Sequence, residues 1–228
     1  MINTTAILFF SRTAATEAKY KQVVKPYKTN KKIYTSLIAN TKNILNNTGL
    51  PYFICDEKQQ KATSFSQKLS DGIAAVFLKG YNNVIVVGND CPQLNVASIT
   101  SAADSLQTHD VVLGPSHNGG VYLIGMSKKT FYAVDFNKIN WQTSSVFKDL
   151  KNITSCFVGK YLPVLAEVNT GYDLIQAKKY FRQFQRLAVF ITSVLASLQS
   201  YKISVEYCLV SYYQNTHAGI RPPPLNFF

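Results

Sequence analysis

The stretch from Asn83 to Met126 constrains the fold more than any other part of the chain. Val84, Ile85, Val86 and Val87 form a short run of β-branched residues. A run of this kind, with no alternating polar positions, predicts a strand buried on both faces. It ends at Gly88, and Asp90 follows at once. A carboxylate just past the end of a central strand stands where open α/β sheets bind ligands. A second strand predicted over Asp110 to Leu113 feeds the loop Gly114-Pro115-Ser116-His117-Asn118-Gly119-Gly120, which returns directly into a third over Val121 to Met126. Two strand ends and a glycine pair can together build one pocket floor.

The rest of the chain supplies alternating partners. Thr4 to Phe10 predicts the first strand, and Ser11 to Asn30 a polar, lysine-rich connection with Lys19, Lys21, Lys25 and Lys28. That connection stands where nucleotide-binding folds place a phosphate loop, yet it holds no glycine to let the backbone approach phosphate oxygens. Arg12 and the lysines can reach phosphate through their side chains; solvated surface is the plainer fate for such residues. Apolar spacing predicts a helix over Ile33 to Asn47, with Gly49 as its stop, and another over Ser64 to Lys79. Pro51 to Cys55 reads as a strand, and Val96 to Gln107 as a helix. A helix is expected from Ser144 or Ser145 to Leu150, capped by Thr143 or Ser144. Thr130 to Phe136 is ambiguous, and Ile153 to Val158 and Leu162 to Val168 are further strand candidates. Thr170 to Ser200 reads as a long helical region. The alternation predicts an α/β fold: a three-layer, mostly parallel, Rossmann-like sheet with one antiparallel strand and helices on both faces. Residues 1–200 are assigned to a single domain and 201–228 to a C-terminal extension, where Pro222, Pro223 and Pro224 exclude regular helix.

Composition narrows the partners. Lys and Arg outnumber acids 24 to 12, a net charge of +12 that favours anionic ligands or serves only to keep the surface soluble. The basic residues are dispersed and no nucleic-acid recognition motif is present, so nucleic-acid binding ranks last. Cys55, Cys91, Cys156 and Cys208 show no paired spacing, which fits reduced thiols in a cytoplasmic protein. The apolar run Ala6 to Phe10 is too short for a signal peptide. Leu187 to Leu198 is too short to cross a membrane and reads as a buried or partner-facing helix.

Four segments carry a resemblance: V-V-G-N-D-C-P-Q-L (Val86 to Leu94), V-L-G-P-S-H-N-G-G-V-Y-L-I-G-M (Val112 to Met126), I-N-W-Q-T-S-S-V (Ile139 to Val146) and E-V-N-T-G-Y-D-L (Glu167 to Leu174). In this order they resemble the glycosyltransferase-A-like "radical-SAM/selenodomain-associated transferase" family, a domain family of unsettled function related in fold to nucleotide-diphospho-sugar transferases. The resemblance spans residues 4 to 180. It implies a nucleotide or nucleotide-sugar site at the sheet's carboxyl edge and transfer of a glycosyl or nucleotidyl group. Asp90, with Pro92 beside it, matches the strand-end aspartate that would hold Mg²⁺ or Mn²⁺, and Asp173 is the implied second metal residue. Magnesium takes hard oxygen ligands, commonly one or two carboxylates plus phosphates. Gly119 and Gly120 match a glycine turn approaching sugar or phosphate; such a turn equally serves a tight connection. Trp141 and Thr143 match a segment near the acceptor, and core packing is the competing role for Trp141. Pro92, His117 and Asn118 complete the expected nucleotide-binding set with Arg12, an exposed loop histidine being the competing reading of His117. The family's glycine-containing phosphate loop is missing here, and Asn118 replaces its usual aspartate. Two readings follow, a metal-dependent transferase or a catalytically degenerate member that binds a ligand or protein.

Overall fold

The computed structural model describes residues 4–177. The Leu187 to Leu198 stretch, the 201–228 extension and most of the helical region expected from Thr170 lie outside the described residues. Within them, six strands form one sheet: β1 (Thr5–Phe10), β2 (Tyr52–Cys55), β3 (Asn83–Val87), β4 (Val111–Pro115), β5 (Val121–Ser127) and β6 (Gly159–Tyr161). Their spatial order is β2-β1-β3-β5-β4-β6. Neighbours pair in parallel except at β5, which is antiparallel to both β3 and β4. The expected mostly parallel sheet with one antiparallel strand is thus observed.

Seven α-helices accompany the sheet among the described residues: α1 (Ala14–Tyr20), α2 (Tyr27–Asn46), α3 (Phe65–Phe77), α4 (Val96–Ser105), α5 (Lys128–Ala133), α6 (Val146–Ile153) and α7 (Gly171–Ala177). Successive strand residues face opposite sides. Ala6, Leu8, Val84 and Val86 therefore pack with Leu69, Ile73, Val76 and Phe77 of α3. Ile7, Phe9, Ile85 and Val87 pack instead with Ile44 and Leu45 of α2 and Ile99 and Ala102 of α4. Each buried Val, Leu, Ile or Phe among them contributes roughly 1.5–3 kcal/mol, and every residue of β3 is buried. This double burial fixes where β1 and β3 end.

Several elements depart from expectation. The supposed polar connection contains α1, capped by Thr13, whose hydroxyl accepts from the Thr16 amide. Its buried positions are Glu17 and Ala18, so hydrophobic periodicity had almost nothing to report. The second helix begins at Tyr27, not Ile33, because its first buried residue is polar. Asn30 accepts from the Val23 and Val24 amides and donates to the Ala18 and Lys21 carbonyls, tying the two helices together. Ile153 to Val158 is no strand: Ile153 closes α6, Thr154 is buried behind it, and Val158 is exposed. The sixth strand is Gly159–Tyr161. Lys128–Ala133 of the ambiguous stretch is helical, followed by a 3-10 turn over Phe136–Lys138. The α6 cap is Ser145 rather than Thr143 or Ser144, with its hydroxyl donated to Asp149.

Leu162 to Val168 does not form a strand either; its one bridge joins Leu165 to Ser116. It crosses the strand ends instead. Leu162 N donates to Leu113 O, Leu165 N to Pro115 O and Val168 N to Asp90 O, at 2.9, 3.1 and 2.7 Å. Buried Leu162 and Val168 anchor the crossing, which carries Glu167 and Asn169 over the end of β3. Among the described residues, no helix is long and apolar enough to cross a membrane.

Candidate functional site

A cavity of about 710 Å³ opens where β1 and β3 end and β5 begins. Ser11 and Arg12 reach it from β1, Gly88 to Asp90 from β3, and Gly120 to Ile124 from β5. Its volume lies within the usual range for small-molecule sites. Of the residues singled out from sequence, Arg12, Asp90, Asn118, Gly120, Trp141 and Thr143 line it. Pro92, His117, Gly119 and Asp173 are not among its walls. Pro92 is buried beyond the strand end, whereas His117 is exposed with its amide donated to Leu165 O at 3.1 Å.

Asp90 does not stand alone. The Lys21 ammonium donates to Asp90 Oδ2 at 2.8 Å and to Asn169 Oδ1 at 3.0 Å, with Glu17 Oε1 at 3.7 Å. Glu17, 4% exposed, also accepts from Arg12 Nη1 at 3.3 Å. The Arg12 guanidinium lies over the Tyr20 ring, 4.4 Å from its centre. Burial by itself would lower the Lys21 pKa, but the Asp90 and Glu17 carboxylates outweigh it and hold the ammonium charged well above the ordinary lysine range. Lys21, for which the sequence leaves phosphate contact and solvated surface both open, lines the cavity. The signal available was its i,i+4 spacing from Glu17.

Opposite Asp90, the Ser116–Gly120 loop is held by its own side chains. Asn118 Oδ1 accepts from the Ser116 hydroxyl and from Gly120 N. Gly119 has φ +83°, and a Cβ there would run into the Ser144 carbonyl oxygen. Gly119 O in turn accepts from Phe147 N at 3.0 Å, so the turn docks on the first residues of α6. Gly120 leaves room for Ser116 Oγ, Asn118 Oδ1 and Glu167 Oε2, which all come within 3.3 Å of where its Cβ would lie. Glu167, missed by sequence although it opens the fourth motif, lines the cavity. Burial, then the nearby Asp90 charge, push its carboxyl up to about 7, against hydrogen bonds to Asn118 and Ser116.

The far wall is aromatic. Trp141 stacks on Phe136 at 6.0 Å, meets Phe65 at 5.2 Å and donates from Nε1 to Phe136 O at 2.9 Å. Trp141 therefore packs against the core and faces the cavity at once. The next residue, Gln142, adopts φ 64°, a conformation uncommon for a residue with a side chain, and lines the cavity beside Thr143. Thr143 donates to Asn140 O at 2.6 Å. Lys68 of α3 also faces the cavity, and no salt bridge holds it among the described residues.

The donors present do not fit the expected Mg²⁺ or Mn²⁺. An ammonium already bridges Asp90 and Asn169. Asp173 Oδ2 accepts from the Asn169 and Thr170 amides and the Thr170 hydroxyl, so it serves as a cap at the start of α7. The Asn118 oxygen is engaged within its own loop. Among the described residues, no three His, Cys, Asp or Glu side chains gather as a ligand set.

Residues 53–143 match a family described as an uncharacterized protein conserved in bacteria (DUF2064). No curated protein matches the chain. A solved structure of a candidate nucleotide-diphospho-sugar transferase from Desulfovibrio desulfuricans G20 is 21% identical, with TM-score 0.75, over 88% of this chain and 99% of that one. A 4-diphosphocytidyl-2C-methyl-D-erythritol synthase from Anaerococcus prevotii is 10% identical with TM-score 0.48, over 78% of this chain and 96% of that one. A Mycobacterium tuberculosis H37Rv protein in complex with manganese is 12% identical with TM-score 0.42, over 75% and 96%. The Desulfovibrio structure bears on fold alone, and the family match, to a family of unsettled function, takes in the first two of the four motifs and the start of the third.

Proposed function

We propose that the cavity binds a nucleotide-activated donor and transfers its glycosyl or nucleotidyl group to an acceptor. The observation that carries this reading is the convergence of Arg12, Lys21, Lys68, Asp90 and Glu167 on one cavity at the sheet's carboxyl edge. Ligands of open α/β folds bind at that edge. The cations supply charge complementarity to phosphate. Trp141 and Phe65 supply a face for a base or sugar ring. In the transfer, an acceptor oxygen bonds to the sugar carbon or the phosphorus while the bond to the leaving phosphate breaks. The acceptor's proton passes to a carboxylate, and Glu167, held near neutrality, suits that role. Charge building on the leaving phosphate is met by Lys21 and Arg12.

A second reading, a degenerate member that binds without turnover, is favoured by one observation. The backbone amide of Thr13, where a phosphate loop would present its donors, gives its hydrogen bond to Glu57 Oε2 at 2.7 Å. Melting the protein with nucleoside di- and triphosphates and nucleotide sugars separates the two. A ligand that binds only the folded state raises the midpoint by mass action. The transferase reading expects a rise with at least one donor and release of its free nucleotide when acceptors are added. A rise without product under any acceptor leaves a degenerate member that binds a nucleotide, and no rise at all removes the transferase reading and leaves the degenerate one with a different partner.

A further inference from the structure

We infer that the Lys21 ammonium is the cavity's resident cation, standing between Asp90 and Asn169 where a divalent metal would otherwise bind, so that phosphate is met without a metal. This rests on the nucleotide-donor reading above and specifies its electrostatics. Two groups from remote parts of the chain and one from the preceding helical turn surround one nitrogen: Asp90 Oδ2 at 2.8 Å, Asn169 Oδ1 at 3.0 Å and Glu17 Oε1 at 3.7 Å. They belong to the β3 end, the crossing segment and α1. An ammonium has three N–H donors. Two are engaged at hydrogen-bond distance and the third remains for a ligand oxygen, since Glu17 lies too far to accept it well.

The arrangement is built rather than incidental. Asn30 fixes the end of α1 by accepting from the Val23 and Val24 amides and binding the Lys21 carbonyl at 2.8 Å. Val168 N holds the Asp90 carbonyl at 2.7 Å, locking the crossing segment to the strand end. Charge is balanced locally, with Arg12 and Lys21 against Glu17 and Asp90. A divalent ion would have to expel the ammonium from its two oxygen partners. It would also find an amide at position 169, which brings no negative charge.

The test uses Mn²⁺ alone, followed by electron paramagnetic resonance of the free ion, on the full chain and on Lys21→Met. Circular dichroism checks folding, and Lys21→Gln, which keeps a polar end, replaces the methionine variant if that one fails to fold. We expect adding the wild type to leave the free-ion Mn²⁺ signal unchanged, both alone and against protein-free mixtures holding the same UDP, GDP or CDP. The variant, with Asp90 and Asn169 released, should bind Mn²⁺ roughly tenfold or more tightly. Any donor-induced rise in wild-type melting midpoint should be unchanged by EDTA. Mn²⁺ binding by the wild type, alone or with nucleotide, overturns the inference, and so does a folded variant that gains no Mn²⁺ affinity. If no nucleotide shifts the midpoint, the donor reading fails, while the Mn²⁺ comparison still decides the identity of the cation.

Discussion

Glu57 closes on the start of α1, where its Oε2 accepts from Thr13 N at 2.7 Å and its Oε1 from the Thr13 and Thr16 hydroxyls. Burial pulls this carboxyl upward, but the Thr13 and Thr16 hydrogen bonds overcome it and hold the pKa at about 2, below the ordinary 4.5. A folded value below the unfolded one stabilises the protein above pH 4.5, and that stability is lost as pH falls from there toward 2. Glu57→Gln should cost about 1–2 kcal/mol at neutral pH, allowing for the group's partial exposure. The gap from wild type should shrink through the acid window. Melting both proteins across a pH series checks this, and a constant gap would show that Glu57 carries no charge-dependent bond.

Glu167 titrates in the opposite sense. Its folded pKa of about 7 lies above the ordinary 4.5, because burial and Asp90 disfavour the ionised form. Below 4.5 both folded and unfolded chains hold the proton. Between 4.5 and 7 only the folded chain keeps it, so stability falls as pH rises through that window and levels off above it. Glu167→Gln should remove this slope and gain on the order of 1–2 kcal/mol above neutrality. The same variant should abolish transfer, separating a stability role from a chemical one. A variant whose melting curve keeps the wild-type pH slope would contradict the assignment.

Those two carboxylates show where sequence reasoning stops. The central sheet was legible because β1 and β3 are buried on both faces, and apolar runs announce such strands. Asp90 was legible because it follows β3 directly, and Asn118 and Gly120 because they stand in the short return from β4 to β5. Lys21 and Glu17 were not, because α1 buries a charged residue and one alanine and so shows no apolar period. Glu167 depends on a segment that joins the sheet by a single bridge and is placed by backbone bonds to strand ends far away in sequence. Asp173 illustrates the converse: a motif position suited to a metal ligand is engaged by local amides at a helix start.

Gly119 should be the least replaceable residue of the loop. Its φ of +83° is strained for any side chain, and an added Cβ would meet the Ser144 backbone rather than a movable group. Gly119→Ala should cost about 1–3 kcal/mol. It should also loosen the Phe147 N–Gly119 O bond that seats α6. Chemical denaturation gives the magnitude, and faster amide exchange at Phe147 locates the damage. An unperturbed Phe147 amide in the variant would break the proposed link between turn and helix.

Lys68 offers a cleaner probe of ligand binding than the residues around Asp90. It lines the cavity from α3 without an acidic partner among the described residues, so removing it leaves no buried carboxylate unpaired. Lys68→Ala should therefore change stability by less than about 0.5 kcal/mol. A charge-assisted bond to phosphate contributes about 1.5–3 kcal/mol, and each 1.4 kcal/mol is tenfold in affinity. Nucleotide binding should weaken by roughly tenfold or more, and the residual binding should depend less on salt. Lys79 serves as the control, since it lies over the Phe53 ring at 5.1 Å and does not line the cavity. Calorimetric titration of both variants decides the matter. Equal weakening would assign the effect to net charge, whereas a loss confined to Lys68→Ala places the phosphate beside α3.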